Sequence, residues 1–232
     1  MKIFFLVVLT FVATTTFSQE MTGTQLLEKS IAYHDPSGAW DSFNGEFTLA
    51  LSMNDKSERK SVITINLPKE YFNVTVDQNG KTSFREISNG QCRFTNEEGE
   101  VQTASTEEDA CERTVMFKNY YTYLYGLPMK LKDPGTHINS SVKKVAFKGK
   151  EYLVLRVTYD EAVGSDIWQF YFNPETYAME IYQFFKGEDE KSGEYILLTD
   201  EVDVKGIRMP KDRAWYYNKD DGYLGTDVLV GK

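Results

Sequence analysis

The sequence predicts a mainly β domain with a few helices, and three observations carry that prediction. Residues 42–53, SFNGEFTLALSM, put Phe43, Phe47, Leu49, Leu51 and Met53 on one face and Asn44, Glu46, Thr48 and Ser52 on the other. That alternation is the mark of a half-buried strand. Two Asn-Gly pairs, Asn79-Gly80 and Asn89-Gly90, bracket the short run KTSFREIS as hairpin turns. The last third of the chain is an almost unbroken series of short strand patterns, in a protein with 15 Tyr and 15 Phe. Rings of that kind suit pleated sheets better than helices.

In chain order, MKIFFLVVLTFVATTTFSQE has a positive Lys2, an apolar run over Phe4–Val12 and small residues before Gln19. This reads as a secretory signal peptide over residues 1–18, cleaved between Ser18 and Gln19. Its apolar run falls short of the about 20 residues that a spanning helix needs. Residues 19–232 then form one domain that is periplasmic or secreted. TGTQLLEKSIAY, residues 22–33, spaces Leu26, Leu27, Ile31 and Ala32 as one helical face. Thr22 or Thr24 caps its start, and Pro36 and Gly38 stop it.

After the first strand, SVITINL runs to Pro68, and YFNVTV is its continuation or its neighbour. QCRFT is a further strand. EEDACERTVMFKNYYTYLY, residues 107–125, is a helix with acids at its start and Gly126 and Pro128 at its end; Val115, Met116, Tyr120, Tyr123 and Leu124 line one side. VAFKGKEYLVLRVTYD is a hairpin turning at Lys148-Gly149-Lys150, and DIWQFYF-NPET-YAMEIYQFF is another. GEYILLTDEVDV, GIRMP, AWYYN and DVLV complete the set. The strands around Trp168–Phe172 and Tyr182–Phe185 are apolar on both faces, so both faces must be covered. Short strands at regular spacing indicate a sandwich or barrel.

The formal net charge of −9 disfavours nucleic acid and anionic membrane surfaces as partners. Two cysteines in an exported chain, Cys92 and Cys111, are expected to form one disulfide.

SVITINLPKEYFNVTV followed by ISNGQCRFTNEEGE resembles the LolA/LolB-like periplasmic lipoprotein-carrier fold. Pro68, Tyr71-Phe72, Asn89-Gly90 and Phe94 carry the likeness. HDPSGAW, YGLPMKLKDPGT and FYFNPETYAMEIYQF look more specifically like an exported Gram-negative envelope family of unknown function. The resemblance implies an open antiparallel half-barrel of about ten strands, with one or two helices packed on the concave face. The helix at 107–125 falls where those carriers place a lid. Leu67 stands where the carriers have an arginine that holds the lid shut, so the locking mechanism does not carry over.

Chemistry is sparse. No GxSxG, HExxH, Walker loop or GxGxxG occurs, and no cofactor is expected. His34-Asp35 reads first as a helix stop running into a turn, with His34 beside the last helix carbonyls. A general base with its orienting carboxylate is the sharper alternative. His34, Asp35 and His137 together would make a divalent-metal site for an enzyme if their loops converged. The reading favoured over these is non-enzymatic: a lipid or acylated ligand in the cavity between sheet and helix, lined by Phe47, Leu49, Val115, Tyr123, Leu124, Trp168 and Phe170. An envelope protein-interaction module with a filled core is the remaining alternative.

Overall fold

The computed structural model describes residues 20–53, 55, 57–96 and 98–230; the expected signal peptide lies outside that range. Among the described residues, fourteen strands form one antiparallel sheet. The first six are β1 (Asn44–Met53), β2 (Glu58–Asn66), β3 (Tyr71–Gln78), β4 (Lys81–Ser88), β5 (Gln91–Thr95) and β6 (Val101–Ser105). They form a meander. β2 and β3 are neighbours, joined by a short 3-10 turn at Leu67–Lys69. β4 is flanked by the two Asn-Gly turns, whose asparagines and glycines all have positive φ, as type I′ turns require.

The second half comprises β7 (Thr136–Ile138), β8 (Lys143–Phe147), β9 (Lys150–Tyr159), β10 (Asp166–Phe172), β11 (Met179–Lys186), β12 (Glu194–Val204), β13 (Ile207–Tyr217) and β14 (Tyr223–Val230). β14 pairs with β1, so the two meanders join through the first and last strands. The order is β6-β5-β4-β3-β2-β1-β14-β13-β12-β11-β10-β9-β7, with β8 also on β9. The sheet is therefore open, a half-barrel rather than a closed barrel. Fourteen strands exceed the expected ten or so because VQTAS and THI carry no readable apolar alternation. GIRMP and AWYYN are one strand, β13, not two.

Two helices pack on the inner face. α1 (Gly23–His34) starts with a capping box in which Thr22 and Gln25 satisfy each other's backbone N–H groups. Its buried face is Leu26, Leu27, Ser30 and His34; Ala32, expected on that face, is exposed. α2 (Glu112–Tyr125) begins five residues later than the acidic run suggested, because residues before it are spent on turns and a 3-10 segment, Asp109–Cys111. It buries Thr114, Tyr121, Leu124 and Tyr125, while Met116 is exposed and Tyr120 keeps much of its ring accessible. The expected side was thus partly rotated: the tyrosine-rich run supplies apolar rings on every side, and periodicity alone does not choose among them.

α2 is held at both ends. A disulfide joins Cys111, just before it, to Cys92 in β5, with Cα atoms 6.0 Å apart. At its far end Gly126 lies against Trp40, where an added Cβ would come within 2.2 Å of the indole and 2.6 Å of the Thr122 carbonyl oxygen. Replacing both cysteines by serine is expected to destabilise the protein by roughly 3 kcal/mol, the chain-entropy value for a loop of this size. Urea unfolding with and without reductant checks it: wild type should fall to the double variant's midpoint when reduced.

The doubly apolar strands are covered as the sequence required. On the inner face, Phe170, Phe172 and Tyr182 join the main core with the helices. On the outer face, the β8–β9 hairpin lays Phe147 and Val145 over Tyr152, Val154, Tyr171 and Ile181.

Candidate functional site

Cross-strand register sets out the inner face in rows. One row runs Leu155, Phe170, Tyr182, Ile196, Trp215 across β9 to β13. The next row on β13, β14, β1 and β2 reads Arg213, Asp227, Leu51, Arg59. α2 lies across these rows. Tyr121 stacks on Phe72, Tyr125 packs 4.7 Å from Phe47, and the Arg213 guanidinium sits 3.9 Å from the Tyr125 ring centre. Arg213 is 1% exposed, and its Nη1 donates to the Pro210 carbonyl at 2.8 Å. The Asp227 carboxylate accepts from the Trp215 indole at 3.2 Å, and burial holds its pKa above the usual range.

Beside α2, towards β9 and β10, a cleft of about 810 Å³ opens to solvent. Its aromatic wall is Tyr120, Tyr123, Tyr159 and Trp168, with Leu67 and Val163 completing the apolar surface. Tyr123 meets Trp168 edge-on at 5.6 Å, and Trp168 stacks on the fully buried Phe170. The Tyr123 and Tyr159 hydroxyls hydrogen-bond to each other. Burial pushes both phenols up, Tyr159 to about 12, so both stay neutral near pH 7. Lys118 and Lys130 place two cations at the rim, and Asp133 pairs with Lys130.

The seven residues expected to line a cavity divide sharply. Tyr123 and Trp168 face the cleft. Phe47, Leu49, Leu124 and Phe170 are at most 4% exposed and form the core beneath it. Val115 is half-buried and packs on that core. The cleft's wall residues that sequence reading missed are Leu67, Tyr120, Tyr159 and Val163. In the sequence Leu67 stands out only as a departure from the carriers' arginine, and the loop at 160–165 has no periodicity to reveal it.

The histidines are apart in role. His34 is fully buried. Its Nδ1 donates to the Arg208 carbonyl oxygen at 2.7 Å, and its Nε2 accepts the Met179 N–H at 2.9 Å. That pair of contacts fixes the tautomer. Burial lowers its pKa from the usual 6.5, so the ring is neutral. It therefore does not serve as a cation beside the last helix carbonyls; it ties the end of α1 to β13 and β11. Asp35 accepts from Ala39 N–H at 2.7 Å and Trp40 N–H at 2.9 Å, closing the turn that follows α1. His137 stands exposed on β7, with its Nε2 2.6 Å from Asp160. Among the described residues no three His, Cys, Asp or Glu side chains gather as a metal site.

Across residues 1–232 the chain matches the profile described as Family of unknown function (DUF6503), and it belongs to that family. No curated protein matches it in sequence. Its fold is similar to those of solved structures that include a LolA superfamily protein. A LolA superfamily protein from Nitrosomonas europaea superposes with a TM-score of 0.55 at 12% identity, over 91% of this chain and 92% of that one. A domain named for outer membrane lipoprotein sorting, from Vibrio parahaemolyticus, gives 0.53 at 9% identity over 90% and 92%. A DUF1329 family protein from Desulfovibrio piger gives 0.53 at 9% identity over 91% and 92%. Among the described residues no helix is long and apolar enough to cross a membrane.

Proposed function

We propose that the protein is exported and binds a lipid or acyl chain, without catalysis, in the cleft between α2 and the β9–β10 end of the sheet. The observation that supports this most directly is the aromatic wall of Tyr120, Tyr123, Tyr159 and Trp168 around a space of about 810 Å³. That size lies within the roughly 300–1,000 Å³ usual for small-molecule sites. An acyl chain lying on Trp168 and Tyr123 gains about 0.8 kcal/mol for each methylene removed from water. Lys118 and Lys130 at the rim suit the polar end of an amphiphile. Phe47, Leu49, Leu124 and Phe170 support the wall from beneath and meet a chain only when α2 lifts. The structural likeness to lipoprotein-sorting proteins adds to the reading of the fold, and the amino-terminal residues add the reading of export.

The test is titration of the mature protein with N-phenylnaphthylamine, an apolar fluorescent probe. Saturable binding is expected. Trp168→Ala should weaken it about tenfold, since burying an aromatic surface contributes about 1.5–3 kcal/mol. Tyr217→Ala, exposed on β13 and outside the cleft, should leave it unchanged. Absence of saturable binding, or equal binding by Trp168→Ala, would contradict the proposal.

A further inference from the structure

We propose that a second site, at the amino-terminal end of α2 over β2–β4, binds a phosphate group through Arg59, Arg85 and Arg113. A pocket of about 150 Å³ there is lined by these three arginines together with Gln78, Ser83 and Phe117. It is separate from the Trp168 cleft, which borders later turns of α2 and the β9–β10 loop.

Four observations converge on an anion. First, Arg85 and Arg113 come together in a protein of net charge −9, and among the described residues the arginines in ion pairs are Arg93 and Arg156, not these; Arg59, on the same pocket, also acts on the buried Asp227 carboxylate. Like charges brought together, as Arg85 and Arg113 are, cost free energy unless a counter-ion joins them. Second, the Arg59 Nε is buried and has no hydrogen-bond partner. An unmet buried donor of a charged group is expensive, and an oxyanion would meet it. Third, the guanidiniums are held by ring faces. Arg85 lies 5.6 Å and Arg113 5.9 Å from the Phe117 ring centre, and Arg85 also lies 5.9 Å from that of Phe94. Cation–π contact of this kind holds a guanidinium beside the ring and leaves N–H donors for an acceptor such as a phosphate oxygen. Arg85 Nη1 spends one donor on Thr114 Oγ1 at 3.2 Å, which orients it further. Fourth, burial and the neighbouring Arg113 charge lower the Arg85 pKa, the sense expected of cations crowded together without an anion.

The volume corresponds to about five water molecules, enough for a phosphate but not for a bulky ligand. Two sources share that chemistry: free phosphate, and the phosphate of a lipid headgroup whose chains lie elsewhere on the protein.

Calorimetric titration of the mature protein at low ionic strength tests the site with two probes, inorganic phosphate and dihexanoylphosphatidic acid. Phosphate is expected to bind and to be displaced by sulfate. Arg113→Gln should weaken it about tenfold or more, because a charge-assisted hydrogen bond contributes roughly 1.5–3 kcal/mol. Arg113 is exposed on the first turn of α2, so this variant keeps the fold, and thermal melting verifies it. Arg156→Gln, a surface residue paired with Glu188, should bind as wild type does. Phosphatidic acid binding no tighter than phosphate assigns the site to free anions. Tighter binding that also falls in Trp168→Ala assigns it to a lipid headgroup and links the two sites. Phosphate binding that survives when Trp168→Ala has lost the apolar probe shows that this site stands by itself. Failure of both probes to bind wild type, or undiminished binding by Arg113→Gln and Arg85→Gln alike, would overturn the proposal.

Discussion

Replacing His34 by alanine is expected to destabilise the protein by roughly 2–6 kcal/mol. The imidazole satisfies two backbone groups at once, the Arg208 carbonyl and the Met179 N–H, at a site with no exposure to solvent. Truncation leaves both unpaired, at about 1–3 kcal/mol each. The effect has a pH signature. Burial depresses the folded-state pKa of His34 below the usual 6.5, so the unfolded chain binds the proton more readily. The stabilisation is complete above about pH 6.5 and is lost as pH falls through the depressed folded value. Urea unfolding of wild type and His34→Ala across that range measures both. The difference between them should be largest near neutrality and shrink on acidification. A constant small difference would show that the ring is not the joint between α1 and the sheet.

Tyr125→Ala is expected to cost about 3–5 kcal/mol, the range for removing a large buried ring. Tyr125 is 2% exposed, between Phe47, Tyr121 and the buried Arg213 guanidinium. Its loss removes the main contact between α2 and the centre of the sheet. It also strips an aromatic face from a desolvated cation. Hydrogen exchange should show α2 amides losing protection more than those of β12 and β13. Met116→Ala, exposed on the outward side of the same helix, should change stability by less than about 0.5 kcal/mol.

Strand alternation and turn chemistry made most of the sheet legible. β1 alternates from Asn44 to Leu49, though Met53 at its end is exposed, the Asn-Gly pairs and Lys148-Gly149 take the positive φ of hairpin turns, and β10 and β11 pair across NPET. Short strands such as THI were not legible, because three residues paired to the end of β9 need no pattern of their own. The face of α2 was misjudged because aromatic residues surround the helix, and only the sheet beneath decides which are buried. The arginines of the inner face were invisible for a related reason. In RMPKDRAWYY, an arginine reads as a solvent-side residue, whereas register aims Arg213 inwards beside Asp227. Arg59, Arg85 and Arg113 come from three separate elements, and no spacing along the chain announces that they meet.

An apolar ligand is expected in the cleft beside α2, against Tyr123, Tyr159 and Trp168. Native mass spectrometry tests it on protein expressed with its own amino-terminal segment and purified without detergent. The account predicts adducts in the lipid mass range on wild type, reduced in Trp168→Ala. A bare polypeptide mass carrying one disulfide, still bare after incubation with an envelope lipid extract, would contradict it.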